Sequence, residues 1–176
     1  MSAPYRKLLT YRYAYLTLHL NDQFISRFLG AYKDKRTKEQ MEQAARSGKQ
    51  NIAEGASQET SLRSYIRLVG VARGSLEELL EDYKDFAIKN GFPIWDRRDR
   101  RFKGLRFFVS SEPNSPLPPI PPLPQDKELT TNLMVDLITR TCYLLDQQRR
   151  GLEEKHMKEG GFTEKLYRKR KEYRGY

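Results

Sequence analysis

Apolar positions recur at helical spacing along most of the chain, and the recurrence breaks near residue 30 and again between residues 92 and 125. Leu8, Tyr11, Tyr15, Leu18, Ile25, Leu29 and Tyr32 lie three, four or seven apart, which predicts a first helix from about Tyr5 to Tyr32. A second stripe, Leu9, Leu16, Phe24 and Phe28, widens the apolar band beyond one seam, and this width predicts burial against a further copy of the chain. Gly30 and the charged residues after it end that helix. Thr37-Lys38-Glu39-Gln40 reads as a capping box, so the second helix is expected to begin at Thr37 and to stop at Gly55. Its shared face, Met41, Ala44, Ala45, Gly48 and Ile52, is built largely of small residues that let a neighbouring helix come close. The third helix has the most regular pattern. Leu62, Val69, Leu76 and Tyr83 are spaced by seven, as are Tyr65, Ala72, Leu79 and Phe86, which describes the seam of a helical bundle.

Asn90-Gly91 and Pro93 close the third helix. Seven of the nine prolines fall between Pro113 and Pro124, a density that favours extended polyproline II and forbids helix. That run is either a ligand for an SH3-like domain or a stiff spacer between helices, and the spacer is the simpler reading. A fourth helix is expected from Asp126 to about Met157, with Leu133, Leu137, Leu144, Ile138, Leu145 and Leu152 on its apolar side. The expected organisation is helices 1–3 over residues 1–91, a basic and Pro-rich loop over 92–125, helix 4 over 126–158 and a basic aromatic tail over 159–176. The fold class predicted is all-α, an up-down antiparallel four-helix bundle.

Charge sharpens this picture. The formal net charge is +10, and two short runs account for all of it. Arg97, Arg98, Arg100, Arg101, Lys103 and Arg106 stand against Asp99 alone, and Lys165, Arg168, Lys169, Arg170, Lys171 and Arg174 stand against Glu172 alone. Two concentrated cationic patches on a neutral scaffold suit a polyanion, because each phosphate neutralised releases condensed counterions. Phe102, Phe107, Phe108, Tyr167, Tyr173 and Tyr176 interleave with them, and aromatic faces can stack on unpaired bases. The phenylalanines have an equally good role in docking the loop onto the helices. Arg46, Lys49, Arg63 and Arg67 are secondary phosphate-binding candidates on the helices themselves.

Signals for other chemistry are few. His19 and His156 have no acidic or cysteine companion at ligand spacing, and neither metal nor cofactor is expected. The single cysteine, Cys142, fits a reducing compartment. The opening residues lack an apolar leader segment and no stretch is long enough to span a bilayer, so a cytoplasmic protein without membrane partners is expected. Glu78, Glu81 and Asp82 share one side of the third helix. Paired carboxylates one turn apart hold Mg²⁺ in helical nucleotide pyrophosphohydrolases, which makes such an enzyme the alternative reading. Neighbouring basic residues favour a solvated helix face instead.

Residues 40–61, QMEQAARSGKQNIAEGASQETS, and residues 71–86, VARGSLEELLEDYKDF, resemble the four-helix-bundle family whose founding members are encoded by intervening sequences in bacterial large-subunit ribosomal RNA genes. Residues 143–170 look like its subgroup called the four-helix-bundle suffix domain. The resemblance rests on Asn51-Ile52-Ala53-Glu54-Gly55, Gly74-Ser75 and Glu78-Leu79, and covers most of the chain outside residues 92–128. It implies an up-down bundle that assembles as a basic homopentamer. A related member, the accessory variability protein of diversity-generating retroelements, binds a reverse transcriptase and its RNA template. The expectation is a non-catalytic accessory protein that binds nucleic acid, RNA before DNA, and assists a reverse transcriptase. A protein-only interaction scaffold is a further alternative.

Overall fold

The computed structural model describes residues 3–57, 61–103, 106–107, 109–110, 112 and 115–175, with the side chains of Tyr32 and Thr163 left aside. Expectations placed on Phe108, Pro113, Tyr176 and the Tyr32 side chain lie outside these residues. The described chain is all-helical, with α1 Leu9–Phe28, α2 Lys35–Gly55, α3 Leu62–Asn90, α4 Lys127–Glu159 and α5 Phe162–Arg174, and no strand among them. Helix α1 touches α2 and α4, and α3 touches α2 and α4, around one apolar core. Among the described residues no helix is long and apolar enough to cross a membrane.

The heptad pattern of α3 reappears as burial: Val69, Ala72, Leu76, Leu79, Tyr83 and Phe86 are all buried. Ser61 caps α3 by accepting from the Ser64 N–H, and Gly91 ends it in the left-handed region at φ 70°. On α2, a Cβ added at Gly48 would stand 2.7 Å from Leu76 Cγ, so glycine is what lets α2 and α3 close on each other. Two polar ties cross the core and set the helix registers. The Tyr83 hydroxyl donates to Asn21 Oδ1 (3.0 Å) while Asn21 Nδ2 donates to the Met41 carbonyl (3.3 Å), joining α3, α1 and α2. Thr10 donates to Gln148 Oε1 (2.7 Å) and Gln148 Nε2 donates to the Tyr65 hydroxyl (2.6 Å), joining α1, α4 and α3.

Two expected helix boundaries need correction. The first helix is shorter than predicted: a 3-10 turn over Pro4–Lys7 is separated from α1 by extended Leu8, and α1 ends at Phe28. The capping box at Thr37 is not used. A 3-10 turn over Tyr32–Asp34 runs directly into α2, which starts at Lys35, so Thr37 already lies inside the helix. The tail is mostly helix, α5, whose start is held by the Gly161 N–H donating to Glu164 Oε2 at 2.7 Å.

Of the second α1 stripe, Phe24 packs edge-on against Tyr83 and Phe86 of α3, while Leu9 and Phe28 are half-buried. Residues 115–125, without helix or strand, lie against α1 as a strap. Leu16 and Phe24 are buried, while Leu117, Ile120 and Leu123 pack on the core from the strap. Those three recur every third residue, the period of polyproline II, and so form one apolar face. Arg12, only 1% exposed, donates to the carbonyls of Glu112 (2.7 Å), Ser115 (3.3 Å) and Pro116 (2.5 Å) and to the Ser115 hydroxyl. Gln23 brackets the strap by donating to the Pro121 carbonyl and accepting from the Leu123 N–H, each at 3.0 Å. Arg27 donates to the carbonyls of Leu123 (3.0 Å) and Pro124 (2.7 Å). The lengths match: Arg12 to Arg27 spans about 22 Å of helix at ~1.5 Å per residue, and Ser115 to Leu123 about 25 Å of polyproline at ~3.1 Å per residue.

Candidate nucleic-acid interface

The first basic run is built on a small platform against the N-terminal half of α4. After Gly91 the chain is pinned by Asn132, which donates to the carbonyls of Pro93 and Glu128 (both 3.0 Å) and accepts from the Trp95 N–H (2.8 Å). The Trp95 indole N–H donates to Glu128 Oε1 at 2.8 Å. Arg101 lies over the Trp95 ring, its guanidinium carbon 3.8 Å from the centroid, and pairs with Asp99 (2.8 Å) and Glu128 (3.2 Å). Phe102 is buried edge-on to Trp95 at 5.4 Å. Arg106 covers the Phe102 ring at 4.9 Å and contacts Asp136 at 3.3 Å. Arg140 also meets Asp136, at 2.9 Å, as an ion contact without hydrogen-bond alignment.

This arrangement divides the predicted cations into two sets. Arg101 and Arg106 are tied to Asp99, Glu128 and Asp136 and hold the platform together, with the Arg101 side chain still half exposed. Arg97, Arg98, Arg100 and Lys103 are exposed and make no ion pair among the described residues. In the turn that presents them, Asp96 accepts from the Arg98 N–H (2.8 Å) and Asp99 accepts from the Arg101 N–H (2.9 Å). Hydrogen bonds from the Arg101 side chain and backbone hold the Asp99 carboxyl down at about 2. Phe102 is buried and Phe107 packs against the core, so both dock the segment.

The second basic run forms α5. Lys165 pairs with Glu159 at 2.7 Å, and Arg168 donates to the Glu159 carbonyl at 3.3 Å, which ties the start of α5 to the end of α4. Lys169, Arg170, Lys171 and Arg174 are exposed without ion pairs among the described residues. Phe162, Leu166 and Tyr173 form one exposed stripe, and Tyr173 is 94% exposed. The two runs sit at opposite ends of α4. Glu128 and Glu159 mark their anchors, about 45 Å apart at ~1.5 Å per residue.

Arg46, Arg63 and Arg67 are exposed and Lys49 is half-buried, and among the described residues no hydrogen bond or ion pair joins them to either basic run. Glu78, Glu81 and Asp82 line an open groove between α2 and α3 with Gln40 and Ser47. Glu81 pairs with Lys84 at 2.6 Å. Burial, then the charges of Asp85 and Glu78, push the Asp82 carboxyl up. Among the described residues no three His, Cys, Asp or Glu side chains converge closely enough to hold a metal ion. Cys142 is buried, and burial pushes its thiol up to about 11, which keeps it protonated at neutral pH.

Residue-type reasoning overlooked the supports of the platform. Asn132, Asp136 and Arg140 stand four apart on a stretch of α4 otherwise rich in apolar and threonine residues. Polar residues in register on a buried face signal a partner from outside the helix, and the partner is the segment from Pro93 to Arg106. No family model, curated protein or solved structure matches this chain.

Proposed function

We propose that the protein is a non-catalytic nucleic-acid-binding accessory protein, built as an up-down antiparallel four-helix bundle with a strap between its third and fourth helices. The observation that carries the reading is the outward display of Arg97, Arg98, Arg100 and Lys103, with a second exposed cationic surface on α5 at the far end of α4. Two separated patches let one strand be held at two points. The closed order of helix contacts supports the bundle. The resemblance of residues 40–61 and 71–86 to the four-helix-bundle family supports assembly as a homo-oligomer, with a pentamer as the family's form. It also supports RNA over DNA and a reverse transcriptase as the enzyme assisted, in a cytoplasmic setting.

Fluorescence anisotropy with a single-stranded RNA, measured across salt concentrations, tests the binding claim. Replacing Arg97, Arg98, Arg100 and Lys103 by Gln removes four phosphate contacts, which flattens the slope of log affinity against log salt by roughly 3 at about 0.7 per phosphate. Replacing Lys169, Arg170, Lys171 and Arg174 by Gln has a similar effect. Slopes unchanged in both variants would overturn the proposal.

A further inference from the structure

A pocket of about 400 Å³ opens between the Trp95 platform and the middle of α4. Its apolar walls are Ile94, Trp95, Phe102 and Tyr143, its cations are Lys84, Arg97 and Arg140, and its anions are Asp96 and Asp136. The volume lies at the small end of the roughly 300–1,000 Å³ typical of ligand sites, enough for one planar ring system and its substituent. Tyr143 is 62% exposed and has no ring partner among the described residues, so one aromatic wall stands bare. Trp95 and Phe102, by contrast, are locked by their own contacts and give the pocket a fixed shape.

From this geometry we propose that the pocket receives one unpaired nucleobase from a strand lying across the outward cations. The inference rests on the nucleic-acid reading above. Arg97 and Phe102 line both this pocket and the shallow hollow formed with Arg98, Arg100 and Lys103. Phosphates held by those cations therefore pass the mouth of the pocket, and the base attached beside Arg97 is the group placed to enter. Inside, it meets aromatic and aliphatic surface, which every base can stack on regardless of its hydrogen-bonding edge. Bases stacked within a duplex cannot enter without being unpaired, so the pocket selects single-stranded over double-stranded nucleic acid.

Trp95 is the chain's only tryptophan, so its emission reports directly on the pocket wall. The full chain is titrated with an oligoadenylate and with a wholly abasic strand of equal length, which has the same phosphates without bases. The expected result is a change in Trp95 emission with oligoadenylate alone and roughly tenfold tighter binding than the abasic strand, the scale of one stacked base. Tyr143→Ala, an exposed substitution, removes most of that advantage and leaves the abasic affinity unchanged. Equal affinity for the two strands with a silent Trp95 overturns the pocket and leaves the nucleic-acid reading standing. Failure of both strands to bind overturns both. If free adenosine monophosphate changes the emission as strongly as the oligonucleotide at equal nucleotide concentration, the site serves a free nucleotide and the strand-bound base is overturned.

Discussion

Tyr83 is wholly buried, and its hydroxyl is the partner of Asn21, which in turn reaches the Met41 carbonyl. Removing that hydroxyl leaves an amide oxygen unsatisfied in the core, which costs about 1–3 kcal/mol. Tyr83→Phe is expected to lower stability by that amount in a chemical denaturation series, and an unchanged midpoint would show that the tie contributes nothing. Asp99 offers a pH test of the platform. Its carboxyl titrates at about 2 because Arg101 donates to it, so the interaction is present above the ordinary carboxylate range and is lost as pH falls through 2. In Arg101→Gln the Asp99 titration, followed by NMR, is expected to rise towards the ordinary value of about 4. At this scale the sequence was only partly legible. Arg101 and Arg106 look like their basic neighbours in the sequence. Only the positions of Glu128 and Asp136, about 30 residues away on α4, separate bracing cations from displayed ones.

Helix α3 could be read from its heptads, because every position that the pattern assigns to the seam from Val69 onwards is also covered in the folded chain. Its end could be read from Gly91 and Pro93 for the same local reason. The strap could be read in principle: Leu117, Ile120 and Leu123 carry a three-residue period, but a search at helical and strand periods passes over it. Arg12 gives no sequence signal at all, since it is one basic residue on a helix and its carbonyl partners begin 100 residues later. Arg12→Met keeps the volume of the side chain and removes its donors. Loss of the hydrogen bonds from a buried guanidinium is expected to cost about 3 kcal/mol, and hydrogen exchange is expected to quicken in residues 115–125 before it does in α3. Uniform loss of protection along the chain would mean that the strap is not a separable element. The start of α2 was misread because a local capping signal at Thr37 competes with a 3-10 turn that already supplies the first turn.

Across the whole molecule, the fold turns two runs of sequence into two surfaces at opposite ends of α4. The composition showed that the charge was concentrated but contained nothing about this separation, which depends on where the chain re-enters the helical core after the strap. The exposed cations of both patches can recognise negative charge. Oligomerisation would repeat each patch several times and raise the strength with which a long strand is held, without any new contact.

Size-exclusion chromatography with light scattering, run with a structured RNA containing single-stranded loops at low and at high salt, tests this account most directly. The expected result is an oligomer, near five subunits on the family resemblance, that carries RNA with it at low salt and releases it at high salt. A monomer that elutes apart from the RNA at low salt would contradict it.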